Sequence, residues 1–80
     1  MYSTAYCPFC RMAENLLQAK GALIDKIRVD LEPERRVEMV TKTGRRTVPQ
    51  ITIGELHVGG YDELAALERA GRLDQLLRAE

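Results

Sequence analysis

The spacing of the two cysteines constrains this chain more than any other feature. Cys7 and Cys10 are the only cysteines among 80 residues, and just two residues lie between them. A disulfide that closes so short a loop removes little entropy from the unfolded chain, so it is a poor structural crosslink. Pro8 follows Cys7 directly, and proline is favoured at the first position of a helix. The pair is therefore expected in a first helical turn, where it serves chemistry, and the fold must depend on a hydrophobic core.

Hydrophobic periodicity divides the chain into elements in the order β-α-β-α-β-β-α-α. Strands are predicted over residues 1–3, 27–30, 47–53 and 56–59, and helices over 8–20, 33–43, 62–70 and from 73 onward. The first β-α-β unit must be parallel and right-handed, and the last two strands form an antiparallel hairpin. We therefore expect one α/β domain over residues 1–80, with a small four-stranded mixed sheet and helices on both faces. Helical spacing places Met12, Val37 and Val40 on inner faces.

Charge and hydropathy exclude several classes of protein. Twelve basic and twelve acidic side chains give a formal net charge of zero, whereas proteins that hold nucleic acid usually carry a basic excess. No apolar run approaches the roughly 18 residues that span a bilayer. The N-terminal segment has no basic region followed by an apolar stretch, so no signal peptide is visible. We expect a cytoplasmic protein that binds neither nucleic acid nor membrane, with a monomer as the default state.

The two cysteines are not equivalent in this setting. The sulfur of Cys7 would lie where unsatisfied N–H groups and the helix dipole favour negative charge, which lowers the pKa of its thiol. Cys10 lies one turn further in, so it is expected to be more buried and to have a higher pKa. Cys7 is then the thiolate that attacks a disulfide, and Cys10 the thiol that resolves the mixed disulfide.

A pair of neighbouring cysteines can also have a purely structural role. A structural disulfide finds no support in a short loop without signs of secretion. A zinc site needs four ligands, and His57, on the far hairpin strand, is the only histidine. Two core cysteines packed together by chance would leave their position after a strand and beside a proline unexplained. No metal site is therefore expected.

Three separated segments resemble those of the glutaredoxins, specifically the short bacterial dithiol type. They are residues 2–10 (YSTAYCPFC), 47–51 (TVPQI) and 59–64 (GGYDEL). Their order and spacing cover nearly the whole chain. The resemblance implies a thioredoxin-like fold and a glutathione-dependent thiol–disulfide oxidoreductase. Glutathione would be a co-substrate, with no tightly bound cofactor, and the other partners would be disulfide-containing or glutathionylated proteins.

The resemblance also implies which residues bind glutathione. The proline of Thr-Val-Pro is cis in the family and faces the reactive sulfur, so Val48 would pair with a peptide-like ligand. The N-terminus of the third predicted helix, at Tyr61 and Asp62, would bind the γ-glutamyl carboxylate. The Asp62 side chain would bind its ammonium group, and Arg36 the glycine carboxylate. The implied set is Phe9, Arg36, Thr47, Val48, Pro49, Gly60, Tyr61 and Asp62. Taken singly, each fits a plainer structural role: a proline that starts a strand, an acid that complements a helix dipole, or a solvated arginine.

The chain departs from the family pattern at three places. Phe9 stands where tyrosine is usual, and Thr4 stands where many relatives carry lysine near the thiolate. Arg11 is expected to replace part of that lost charge. The first strand is also expected to be unusually short. Two further functions remain open: a dithiol electron donor reduced by thioredoxin reductase, and a carrier of a [2Fe–2S] cluster held between two protomers.

Overall fold

The structure is a computed structural model, and it describes residues 1–78. Its strands are β1 (Tyr2–Ser3), β2 (Ile27–Arg28), β3 (Ile51–Ile53) and β4 (Leu56–Gly59). Its helices are α1 (Pro8–Ala19), α2 (Pro33–Thr43), α3 (Tyr61–Arg69) and α4 (Leu73–Arg78). This is the predicted order of elements. The rest of the predicted final helix, residues 79 and 80, lies outside the described residues.

The sheet is less continuous than predicted. β1 pairs with β2 in parallel and β3 pairs with β4 antiparallel, as expected, but the four strands form two separate two-stranded sheets. A single antiparallel bridge between Tyr2 and Gln50 joins them. The third strand was predicted from residue 47, yet it begins at Ile51. Pro49 explains this difference, because a proline has no N–H to donate to a neighbouring strand.

Helices cover both sides of these strands, as predicted. On one side α1, α3 and α4 enclose a cluster formed by Ala13, Leu17, Ile51, Leu64 and Leu73. On the other side Met39 of α2 packs with Tyr2 and Val29. Tyr2 also fastens β1 to α2, since its hydroxyl donates to Glu38 at 2.6 Å. Burial, together with that bond, raises the pKa of Tyr2 to about 12.

Two predicted core positions are wrong. Val37 is 67% exposed and Met12 is 44% exposed. Successive helical residues differ by about 100° around the axis, so Val37 lies about 200° from the fully buried Met39 and faces solvent. Val40, one residue beyond Met39, is half-buried as expected. On α1 the inner face follows Ala13 and Leu17, which leaves Met12 on the rim.

Prolines in the sequence mark the starts of α1 and α2, and a glycine marks the end of α2. α1 begins at Pro8 and α2 at Pro33. α2 ends at Gly44, whose φ of 73° is the left-handed conformation that glycine adopts without a steric penalty. Among residues 1–78, no helix is both long and apolar enough to cross a membrane.

Candidate active site

Cys7 lies at the end of the loop that connects β1 to α1, and it is the N-cap residue of α1. Its sulfur accepts a hydrogen bond from the backbone N–H of Cys10 at 3.1 Å. A Ser, Thr or Asp oxygen usually makes this contact at a helix N-terminus, so here a sulfur occupies the position where a helix best stabilises negative charge. The predicted placement of the pair in the first helical turn is confirmed.

The structure contains the oxidised form of the pair. Cys7 and Cys10 are joined by a disulfide, and their Cα atoms lie 5.1 Å apart. Cys10 is only 4% exposed, whereas Cys7 is half-buried and can be reached from solvent. This is the predicted difference in burial. A partner that approaches from solvent meets the sulfur of Cys7 first.

The segment Thr47–Pro49 faces this sulfur from the opposite side. The Val48–Pro49 peptide bond is cis, as the family resemblance predicted. The carbonyl oxygen of Val48 lies 3.8 Å from Cys7 Sγ. The ladder of β3 starts only at Ile51, so within the described part of the chain the backbone of Val48 is not paired with a neighbouring strand. A main-chain edge is thus available beside the reactive sulfur.

A cleft of about 200 Å³ runs from this segment to the N-terminus of α3. Seven of the eight predicted ligand-binding residues line it: Phe9, Thr47, Val48, Pro49, Gly60, Tyr61 and Asp62. The rings of Phe9 and Tyr61 stack on one side with their centroids 6.3 Å apart. The first N–H groups of α3 have no partner within the helix, so this end of the cleft favours an anion.

Arg36 is the predicted residue that does not line this cleft. Its guanidinium donates to the carbonyl oxygen of Arg46 at 3.4 Å, a long and weak contact. The structure therefore keeps Arg36 on α2, beside the loop that leads to Thr47. A ligand longer than the cleft would reach it across Arg46.

Two charged residues of the cleft lie outside the predicted ligand-binding set, which treated arginine at position 45 as solvated. Arg45 and Glu63 line it and form an ion pair at 2.7 Å. Hydrogen bonding from Arg45 lowers the pKa of Glu63, and backbone N–H groups of α3 add to the effect. Gly59 makes this close packing possible, because a Cβ there would lie 2.9 Å from a Glu63 carboxylate oxygen. The sequence signal was the glycine pair ahead of the helix, with Glu63 three residues after the N-cap Gly60.

A second, smaller cavity lies behind the disulfide. It has a volume of about 170 Å³ and is lined by both cysteines, Thr4 and Arg11, among other polar residues. Arg11 thus lies near the pair, as expected from its position in the first turns of α1. Among residues 1–78, no three side chains of the metal-binding types come together. His57 contacts Gln50 at 2.8 Å.

Asp30 holds the loop that precedes Cys7. Its carboxylate accepts two hydrogen bonds from Arg28, at 2.8 and 2.6 Å, and one from the Ala5 N–H at 3.2 Å. The hydrogen bonds from Arg28 are the main cause of the lowered pKa of Asp30, and the bond from the Ala5 N–H adds to the effect. The pair connects the end of β2 to the loop between β1 and α1.

Asp30→Asn should lower the melting temperature at pH 7. The pKa of Asp30 is depressed in the folded state, so its stabilisation is present above the pKa of an unfolded aspartate, about 3.9. The stabilisation is lost as the pH falls through the lower folded-state pKa. The difference in melting temperature between wild type and Asp30→Asn should therefore shrink steadily in acid. Glu55→Gln in the exposed hairpin turn is the control, and an equal effect of both changes would contradict the role of Asp30.

Comparison with known proteins decides the family. The glutaredoxin family model matches residues 1–58, which contain the cysteine pair and the cis-proline segment. The chain belongs to the glutaredoxin family. Glutaredoxins are thiol–disulfide oxidoreductases, so the Cys7–Cys10 disulfide is the redox-active pair of this one.

Relatives support this assignment over nearly the full chain. The chain is 57% identical to a glutaredoxin of Pseudomonas aeruginosa over 79 residues, which cover 99% of this chain and 94% of the relative. It is 42% identical to glutaredoxin 3 of Escherichia coli over 78 residues, covering 98% and 94%. The extent of both matches confirms the resemblance that the three motifs indicated.

Solved structures confirm the thioredoxin-like fold. A crystal structure of a buckwheat glutaredoxin–glutathione complex superposes with a TM-score of 0.90 at 32% identity, covering 98% of this chain and 74% of that one. The solution structure of a Brucella melitensis glutaredoxin gives 0.82 at 50% identity, covering 95% and 83%. The predicted α/β architecture of this glutaredoxin is therefore correct.

Proposed function

We propose that this glutaredoxin uses glutathione to reduce protein disulfides and protein–glutathione mixed disulfides. The observation that carries the proposal is the continuity of the cleft. It begins at the backbone of Val48, 3.8 Å from the sulfur of Cys7, and ends at the N-terminus of α3. A short peptide bonded through its cysteine sulfur to Cys7 would extend along it. The buckwheat relative was solved with glutathione bound.

The ends of the cleft suit the charged groups of glutathione. The γ-glutamyl carboxylate would accept hydrogen bonds from the N–H groups of Tyr61 and Asp62, where the helix dipole favours an anion. The exposed carboxylate of Asp62 would pair with the ammonium group on the same carbon. The cysteinyl backbone would pair with Val48. Phe9, Thr47, Pro49 and Gly60 supply the walls.

Mixed disulfides are reduced with Cys7 alone. The Cys7 thiolate attacks the glutathione sulfur, a Cys7–glutathione disulfide forms, and the protein leaves as a thiolate that takes up a proton. A second glutathione thiolate then attacks the glutathione sulfur bound to Cys7. Glutathione disulfide is released, and the Cys7 thiolate is regenerated.

Protein disulfides require both cysteines. Cys7 attacks one sulfur and releases the first protein thiol, leaving a Cys7–protein disulfide. Cys10 loses its proton and attacks the sulfur of Cys7, which releases the second protein thiol. The product is the Cys7–Cys10 disulfide that the structure contains. Two glutathione molecules then restore the dithiol and become glutathione disulfide, so glutathione is a consumed co-substrate rather than a bound cofactor.

This cycle needs a reducing compartment, so we place the protein in the cytoplasm. We also propose that it acts as a monomer, because the cycle uses the two cysteines of a single chain.

The test is a coupled assay in which glutathione reductase consumes NADPH to recycle glutathione disulfide. NADPH consumption should require this protein, glutathione and a glutathionylated substrate together. Rapid reduction of the protein by thioredoxin reductase, without any response to glutathione, would replace the proposal with the alternative electron donor.

Arg36→Ala should raise the KM for a glutathionylated peptide about fivefold and leave kcat nearly unchanged. We assign Arg36 to the glycine carboxylate because its guanidinium forms no ion pair with an acid among the described residues. A solvent-exposed ion pair contributes about 1 kcal/mol, which corresponds to roughly fivefold.

Lys42→Ala removes an exposed cation from the same helix and serves as the matched control. Its KM should equal that of wild type. If Arg45→Ala raises KM and Arg36→Ala does not, the carboxylate binds at the arginine inside the cleft and the assignment of Arg36 is wrong.

A further inference from the structure

A buried amide lies directly behind the cis-proline segment. Gln50 is 1% exposed, and its backbone is fixed to β1 by two hydrogen bonds with Tyr2, at 2.9 and 3.2 Å. Its side-chain nitrogen donates to the carbonyl oxygen of Thr47 at 2.9 Å and contacts the Thr47 hydroxyl at 3.2 Å. Its side-chain oxygen lies 2.8 Å from Nε2 of His57. The amide therefore has partners at both ends.

These partners fix the direction of every hydrogen bond. The Thr47 carbonyl can only accept, so the amide nitrogen of Gln50 must face it. The Gln50 oxygen must then face His57, and it can only accept. His57 therefore carries a proton on Nε2 in this arrangement. The order of donation runs from His57 on β4, through Gln50, to Thr47.

The same residue thus holds both ends of the segment that faces the sulfur. The Gln50 backbone fixes the end at β1, and the Gln50 side chain holds the other end at Thr47. Between them lie Val48, whose carbonyl oxygen is 3.8 Å from Cys7 Sγ, and Pro49. Among residues 1–78, no strand pairs with residues 47–49, since the bridge to β1 is at Gln50 and the ladder with β4 begins at Ile51. The internal amide supplies the constraint that a neighbouring strand would otherwise give.

We propose that Gln50 and His57 are positioning residues. They hold the Val48 backbone at a fixed distance from Cys7 Sγ, so that a glutathionyl peptide bonded to that sulfur can pair with it. The inference rests on the proposed function, since it assigns the main-chain edge of Val48 to binding of the glutathione moiety. Neither side chain lines the cleft, so both act through Thr47. Breaking the amide bridge leaves the cysteine pair intact but loosens the surface against which the peptide aligns.

The decisive variant is Gln50→Met, which keeps the length and apolar bulk of the side chain and removes its hydrogen bonds. Turnover of a glutathionylated peptide should lose about tenfold in kcat/KM, mostly through KM. The rate at which the pre-reduced protein reduces dithiobis(nitrobenzoate) should stay within twofold of wild type, because that small aromatic disulfide needs only the Cys7 thiolate. Thr41→Val, at an exposed position of α2, is the control and should change neither rate.

Replacement of His57 separates donation from packing. His57→Phe removes the donor and should lose several-fold in kcat/KM for the peptide, whereas His57→Gln can still donate an N–H and should recover most of it. Equal activity of the two variants would overturn the role of His57. If Gln50→Met loses activity equally toward the peptide and toward dithiobis(nitrobenzoate), its effect is merely structural and the role of Gln50 is overturned.

NMR spectra of the backbone amides, recorded without glutathione, test the positioning role independently of the proposed function. In Gln50→Met the backbone N–H signals of Thr47 and Val48 should broaden or split, and in Thr41→Val they should remain single and sharp. Unchanged Thr47 and Val48 signals in Gln50→Met would refute the positioning role. This result is read without glutathione, so it stands even if wild type shows no preference for glutathionylated substrates.

Discussion

Cys7→Ser is expected to abolish turnover of every disulfide substrate, with a loss of at least about 10³-fold, as when other enzymes lose their covalent nucleophile. A serine hydroxyl is almost entirely protonated at neutral pH, whereas the Cys7 sulfur lies at the N-terminus of α1 and accepts the Cys10 N–H at 3.1 Å. A serine hydroxyl can accept the same N–H as an N-cap, but it stays protonated and is a weak nucleophile, so the loss is one of chemistry and not of folding. The loss should appear equally with protein disulfides and with glutathionylated peptides.

Cys10→Ser is the matched control, since it makes the same chemical change one helical turn away. It should keep most of the activity toward glutathionylated peptides, because that cycle uses Cys7 alone. It should lose activity toward protein disulfides, where the buried Cys10, 4% exposed, must displace the second protein thiol. The measurement is NADPH consumption coupled to glutathione reductase, with each substrate in turn. Activity retained by Cys7→Ser would refute the assignment of the nucleophile.

The local features of the sequence predicted the helices well because their ends depend on single residues. Pro8 and Pro33 start α1 and α2, and Gly44 ends α2 in the left-handed conformation. Such signals act within one turn of the chain. The inner face of a helix is different, because it depends on what packs against it. The sequence places both Val37 and Met39 on packed faces of α2; the structure buries Met39 as expected but exposes Val37.

The candidate site divides in the same way. The cysteine pair and the cis-proline segment are contiguous motifs, and the sequence located both. The Arg45–Glu63 ion pair joins residues 18 apart, and the Gln50–His57 contact crosses the hairpin. Nothing in the sequence near Arg45 names its partner, so the sequence alone favours a solvated arginine there. A side-chain pair of this kind depends on the distance between two elements, which only the folded chain fixes.

Leu64→Ala is expected to be the most destabilising substitution outside the disulfide. Leu64 is fully buried at the centre of the cluster formed by α1, α3 and α4, with Leu17 and Leu73 as neighbours in that cluster. Leucine-to-alanine changes at such positions cost about 3 kcal/mol, because transfer free energy is lost and a cavity remains. Folded domains of this length have roughly 4–12 kcal/mol in total. The melting temperature should fall by roughly 12–24 °C.

The N-terminus of the same helix lines one end of the cleft, so Leu64→Ala also tests whether the stability of the core and the activity of the site are coupled. Denaturant unfolding of the oxidised protein measures the change, with Leu23→Ala as the control, because Leu23 is fully exposed. At a temperature where the variant is still folded, Leu64→Ala should turn over glutathionylated peptide, since Cys7 and Val48 lie outside α3. A change of less than 1 kcal/mol would mean that α3 does not anchor the core. Leu64 would then not pack tightly with Leu17 and Leu73 in the core cluster.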